Sequence, residues 1–218
     1  MIKALIFDLD GTLLATDNDL CTAINRVRSY FNCNPFENSV IQSYLGDGIR
    51  MLVTRSLPVE FHDQLDRAVE LFHEYYSICY NDTTVPYPNV IETLRTLQKN
   101  YRLSVVSNKA QRYVDKLMES HFSEFQFDHI YGDAINHLRK PEIQGITESL
   151  EAMNALPNET ILIGDSTVDV QTALNSGMHM CPVAWGFQPK EVLHNASGIE
   201  PIEKFEDLIL FIDRLNYN

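Results

Sequence analysis

Apolar positions follow two different rhythms along the 218-residue chain. Short β-branched or apolar runs stand at Leu5-Ile6-Phe7, Leu103-Ser104-Val105-Val106, Phe127-Asp128-His129-Ile130, Thr160-Ile161-Leu162-Ile163 and His179-Met180-Cys181-Pro182-Val183-Ala184. Between the later runs, apolar residues fall at helical spacing: Val90, Ile91, Leu94 and Leu97, then Val114, Leu117 and Met118, then Ile146, Leu150 and Met153. Strands alternating with helices predict an α/β architecture whose parallel sheet is covered by helices on both faces. From about Asp17 to Asp82 that alternation stops. Phe61, Leu65, Val69, Phe72, Tyr76 and Cys79 form one apolar stripe at helix spacing, with Asp63, Gln64, Arg67, Glu70 and Glu74 between them. The spacing predicts an all-helical insert over 16–83, flanked by a core made of 1–15 and 84–218. Val85-Pro86-Tyr87-Pro88 marks the return, because its two prolines halt a helix.

Composition adds mainly exclusions. Hydrophobic residues at 44% and charged residues at 22% indicate a folded globular protein. A formal charge of -13, with no cluster of Lys and Arg, repels nucleic acid and anionic membrane surfaces. The first apolar run is far shorter than a leader core or a membrane span, so the expected location is the cytoplasm. Cys21, Cys33, Cys79 and Cys181 have neither C-x-x-C spacing nor zinc-site spacing with histidine, and are read as reduced thiols.

The chemistry sits where the strands end. The first run leads into Asp8-Leu9-Asp10-Gly11-Thr12, two carboxylates and a glycine turn at the sheet edge where α/β proteins bind ligands. D-x-D-G-T arises by chance in only about one chain in 400 of this length at ordinary residue usage. The fourth run leads into Gly164-Asp165-Ser166-Thr167-Val168-Asp169, whose Asp165 and Asp169 are one helical turn apart. Two acidic strand ends in one sheet call for a cation, and oxygen ligands without His or Cys select a hard one, Mg²⁺ above all. Ser107-Asn108-Lys109 ends the second run and supplies a hydroxyl, an amide and backbone N–H groups for an anion. In Arg139-Lys140-Pro141, Pro141 suits the first position of a helix, which would leave Lys140 just before a helix N-terminus and facing an anion.

Together these residues resemble the four motifs of the haloacid dehalogenase superfamily, specifically its phosphatases with a small helical cap, and the match spans nearly the whole chain. Asp8 and Asp10 resemble the first motif, Ser107 the second, Lys140 the third, and Asp165 with Asp169 the fourth. The insert is similar to the family's helical cap, and Leu45-Gly46-Asp47-Gly48-Ile49-Arg50 resembles the cap segment of phosphoglycolate-phosphatase-like members, as does Trp185-Gly186 after the fifth run. Asn89 and Asn100 stand where that group usually has glycine, and asparagine is the next-best residue for a left-handed backbone.

The resemblance implies a Rossmann-like core and a phosphomonoester hydrolase acting on a small phosphorylated metabolite, with phosphoglycolate the first ester to consider. Asp8 is then the nucleophile and Asp10 the acid and base. Mg²⁺ is held by Asp8, Asp165, Asp169 and the Asp10 carbonyl, and Ser107, Asn108 and Lys140 hold the phosphoryl group. In the cap, Gly46 and Gly48 permit close backbone approach, and Asp47 and Arg50 belong to the substrate-facing segment, where Arg50 pairs with a substrate carboxylate. Four aspartates against Mg²⁺ and Lys140 leave one negative charge, which a proton on Asp10 removes. Two other classes fit less well. A sugar-phosphate mutase shares the motifs but would transfer the phosphoryl group, and an aspartyl-phosphate signalling module would lack the insert and the Gly-Thr pair. A halide-displacing enzyme needs no acid at Asp10. Oligomeric state leaves no mark in the sequence.

Overall fold

A computed structural model describes residues 1–217. The chain divides into two units, one of Met1–Leu14 with Pro86 onward, the other of Ala15–Val85. The first unit holds a five-stranded parallel sheet: β1 (Ala4–Phe7), β2 (Arg102–Ala110), β3 (His129–Asp133), β4 (Thr160–Gly164) and β5 (His179–Pro182). Their order across the sheet is β3-β2-β1-β4-β5. β1 is central and wholly buried, which is why it reads as an unbroken apolar run. It pairs on one side with β2, Phe7 opposite Val105, and on the other with β4, Phe7 opposite Ile163.

Alternation sends Ala4, Ile6, Val106, Leu162 and Met180 to one face. There they pack with Ile146 and Met153 of the helix Gln144–Met153 and with Val170 and Ala173 of the helix Thr167–Ser176. On the other face the Phe7 ring stacks on Phe205, centroids 6.0 Å apart. Strand order reverses direction between β1 and β4, since the chain builds outward through β2 and β3 and then returns to β1's other edge. This is the topological switch point at which open α/β sheets leave a crevice.

Several expectations shift. The third strand begins at His129, not Phe127; just before it the Asp128 N–H donates to the Leu103 carbonyl at 2.8 Å, while the Asp128 side chain pairs with Arg102 and Phe127 packs against Phe122. The helix after β3 begins at Gln144, so Pro141 is not its first residue. Residues Arg139 to Glu142 instead close a turn, the Glu142 N–H donating to the Arg139 carbonyl at 2.9 Å. Asn89 has the left-handed backbone expected of it, with φ 63°, whereas Asn100 does not.

The second unit is helical: Asp17–Tyr30, Asn38–Gln42, Ile49–Ser56 and Leu65–Cys79. The predicted stripe is divided, with a 3₁₀ turn over Val59–Gln64 preceding the long helix. Leu20, Ala23, Ile24 and Val27 of the first helix and Ala68, Leu71, Phe72 and Tyr76 of the last are buried. The chain leaves the sheet unit at the short strand Leu14–Ala15 and re-enters it at Val85–Pro86, and these two strands pair. Beside them, buried Asp19 accepts from the backbone N–H and the hydroxyl of both Thr83 and Thr84 at 2.6–3.1 Å.

Candidate active site

The ends of β1 and β4 lie side by side, the Asp8 N–H donating to the Ile163 carbonyl at 2.9 Å, so the residues that follow each strand meet in the crevice. Asp8, Asp165 and Asp169 offer carboxylate oxygens all within 4.8 Å of one another, and all three residues are buried. Each is held from behind. Asp8 Oδ1 accepts the Leu9 N–H at 2.7 Å. Asp165 accepts the Thr12 hydroxyl at 3.2 Å and the Phe187 N–H at 2.7 Å. Asp169 forms a capping box with Ser166 at the start of its helix, its Oδ2 accepting the Ser166 N–H at 3.1 Å and hydroxyl at 2.6 Å.

Glycine is required around Asp165. A Cβ at Gly11, whose φ is 81°, or at Gly186 would collide with that carboxylate, so the backbone closes on it only where no side chain stands.

Lys140 is buried with its Nζ 2.9 Å from Asp8 and 2.6 Å from Asp169. It therefore serves carboxylates, where the sequence suggested an anion beyond a helix end. A second buried lysine, Lys109, places its Nζ 3.0 and 3.2 Å from the two oxygens of Asp10. Lys109 changes the charge count. Four aspartates against two ammonium groups leave two negative charges, which one divalent cation cancels, so Asp10 need not be protonated for the site to be neutral.

Burial and neighbouring carboxylates together raise the carboxyl groups. Burial, the largest influence, pushes Asp8 up to about 7 against the pull of Lys140, with Asp169 and Asp10 adding to the rise. Asp165 is raised well above the ordinary carboxylate range by burial, then by Asp8 and Asp169. Burial alone would lower Lys140, but Asp169 and Asp8 outweigh it and hold the ammonium charged. An oxygen-only donor set with excess negative charge, held in place by neutral donors and the Lys140 ammonium, fits a hard divalent cation.

The remaining candidates separate. Ser107 is buried within β2, its Oγ accepting the Lys109 N–H at 3.2 Å. Asn108 turns its carboxamide to the backbone of Lys140. Gly46, Asp47 and Arg50 lie in the helical unit. There Asp47 pairs with Arg55 at 2.5 Å, and exposed Arg50 pairs with Asp66 at 2.7 Å. Lys109 was missed as a site residue, although its same-face spacing from Ser107 in a strand was the available signal.

Comparison with known proteins agrees with this geometry. The model of the haloacid dehalogenase-like hydrolases matches residues 5–183. A phosphoglycolate phosphatase of Nitrosospira multiformis is 35% identical over 85% of this chain and 85% of its own. One of Psychrobacter arcticus is 29% identical over 98% and 95%. Among solved structures, a chain from Lactobacillus delbrueckii subsp. bulgaricus, described there as a candidate phosphoglycolate phosphatase, superposes with a TM-score of 0.88 at 30% identity, covering 94% of this chain and 96% of that one. The chain belongs to the haloacid dehalogenase-like hydrolases. Its relatives place it among the phosphatases of that family.

Proposed function

We propose that this enzyme hydrolyses small phosphomonoesters through a covalent phosphate on Asp8 and depends on magnesium to do so. The observation that carries this reading is the buried cluster at the switch point, where Asp8 meets Asp165, Asp169 and Lys140. In the first displacement a carboxylate oxygen of Asp8 attacks phosphorus, the ester P–O bond breaks, and protonated Asp10 gives its proton to the leaving alkoxide. In the second, Asp10 takes a proton from water as the water oxygen attacks phosphorus, and the bond to Asp8 breaks to leave inorganic phosphate.

Lys109, bonded to both Asp10 oxygens, keeps that carboxylate in place between the two steps. Lys140 and Ser107 supply donors for phosphoryl oxygens. Asp8, Asp165 and Asp169, with the Asp10 carbonyl, would hold a magnesium ion, whose charge when bound offsets that of the phosphoryl group. With the ion present and Asp10 protonated, the site carries one positive charge, which favours a phosphate dianion.

Phosphoglycolate is the ester we favour, on the names of the relatives, and we assign its selection to the helical unit through Gly46, Asp47 and Arg50. The four cysteines are free thiols, which suits the reducing cytoplasm. A panel of phosphate esters with magnesium tests the reading. Phosphoglycolate and p-nitrophenyl phosphate should release phosphate, EDTA should stop the release, and added Mg²⁺ should restore it. Full activity in EDTA, or best recovery with zinc, overturns the ion. Phosphoryl transfer within a bisphosphorylated sugar, without release, would make the enzyme a mutase.

A further inference from the structure

Asn108 makes a pattern of bonds that a phosphate ligand does not require. Its Oδ1 accepts the backbone N–H of Lys140 at 2.8 Å, and its Nδ2 donates to the backbone carbonyl of the same residue at 3.1 Å. Both residues are buried. An exchange of one N–H and one C=O bond is what a strand residue gives a hydrogen-bonded partner across an antiparallel ladder, and here a side chain supplies it.

Lys140 needs such support. It lies outside any helix or strand, between β3 and the helix that starts at Gln144. That connection leaves Ile135 and Leu138 exposed. Tyr131 bonds the Leu138 carbonyl and Asn175 the Pro141 carbonyl, but the Asn108 bonds fall on the peptide groups of Lys140 itself. Segments without ladder bonds and with few buried contacts open at low cost. Yet the Lys140 ammonium must sit 2.9 Å from Asp8 and 2.6 Å from Asp169.

We propose that Asn108 is a positioning residue, which grips the backbone of Lys140 and so keeps its ammonium between Asp8 and Asp169, instead of binding the substrate's phosphoryl group. Its catalytic consequence rests on the phosphohydrolase reading above; the grip itself is measured without any activity. In Asn108→Ala, amide hydrogen exchange in the peptide spanning 138–142 should accelerate by at least about tenfold while β1 and β4 keep their protection. Turnover number on p-nitrophenyl phosphate should fall by about tenfold to a hundredfold, the scale of a small misplacement of a site group, with a smaller change in KM.

Unchanged exchange overturns the proposal whatever the activity, and a turnover loss without faster exchange returns Asn108 to the phosphate. Faster exchange with turnover within about twofold of wild type also overturns it, because Lys140 then needs no such hold. If the Ala variant unfolds, Asn108→Asp reads the same contact, since it keeps an acceptor for the N–H and loses the donor to the carbonyl. Absence of phosphatase activity in the wild type would remove the functional reading and leave the exchange result standing.

Discussion

Asp19 and Asp169 are both buried carboxylates in the first turn of a helix, and they are satisfied in different ways. Asp19, in the helical unit, takes neutral donors only, the N–H and hydroxyl groups of Thr83 and Thr84. These lie just before the chain leaves the unit, so the contact ties the entry of the insert to its exit. Asp169 takes neutral donors from Ser166 on one oxygen and the Lys140 ammonium on the other, with two further carboxylates nearby. The first arrangement is complete in itself. The second holds surplus charge in a crevice, where a cation would complete it. Charge shared among several partners marks a site for chemistry, whereas charge absorbed by local donors marks a structural staple.

The largest effect expected from this contrast is on turnover at Asp8. Asp8→Asn should lower the turnover number on p-nitrophenyl phosphate by far more than about a hundredfold, since the nucleophile is lost. The melting temperature should stay at or above that of wild type, because one charge leaves a crowded cluster and Lys140 keeps Asp169. Retained turnover above about a hundredth of wild type would sink the covalent mechanism. A large drop in melting temperature would instead class Asp8 with Asp19.

Asp19→Ala should do the reverse. Removing the acceptor leaves the buried Thr84 N–H without its partner, while the Thr84 hydroxyl keeps the Tyr80 carbonyl at 3.3 Å, so the expected cost is about 1–3 kcal/mol in unfolding free energy. Urea unfolding measures the loss, and hydrogen exchange should place it within 15–85. A cost below about 1 kcal/mol would mean that water or neighbouring groups replace the carboxylate easily.

What could be read from sequence follows the same division. The sheet was legible because a central parallel strand is apolar along its whole length, as Ala4–Phe7 is, and the acidic residues were legible because they stand directly after such runs. Lys109 and Asn108 were not assigned their contacts, because those partners, Asp10 and Lys140, are 99 and 32 residues away and carry no local signature. A lysine at a strand end is ordinarily a solvated cation, and only the carboxylate opposite makes it a buried one. The start of the helix after Lys140 was misplaced for a related reason. Proline suits both a helix start and a turn, and here the turn from Arg139 to Glu142 prevails, with the peptide of Lys140 already held by Asn108.

The smallest effect concerns Arg50, where the two units would part company in a different sense, one carrying the reaction and the other the choice of ester. Arg50 is exposed on the helix Ile49–Ser56 and pairs with exposed Asp66, an arrangement that holds the guanidinium loosely and leaves it able to exchange partners. The pair is a single contact, Arg50 to one oxygen of Asp66, and a guanidinium released from it could instead fork onto a substrate carboxylate, the role proposed for Arg50. Arg50→Ala should therefore raise KM for phosphoglycolate by about threefold to tenfold, the scale of one charge-assisted hydrogen bond in a solvated setting. Hydrolysis of p-nitrophenyl phosphate, which has no carboxylate, should be unchanged, and so should the melting temperature. Equal effects on both esters would mean that the substitution disturbs the helical unit as a whole. No effect on either would remove Arg50 from recognition, leaving the neighbouring Asp47–Arg55 pair, which braces the segment containing Gly46 and Gly48, as the charged group there to substitute next.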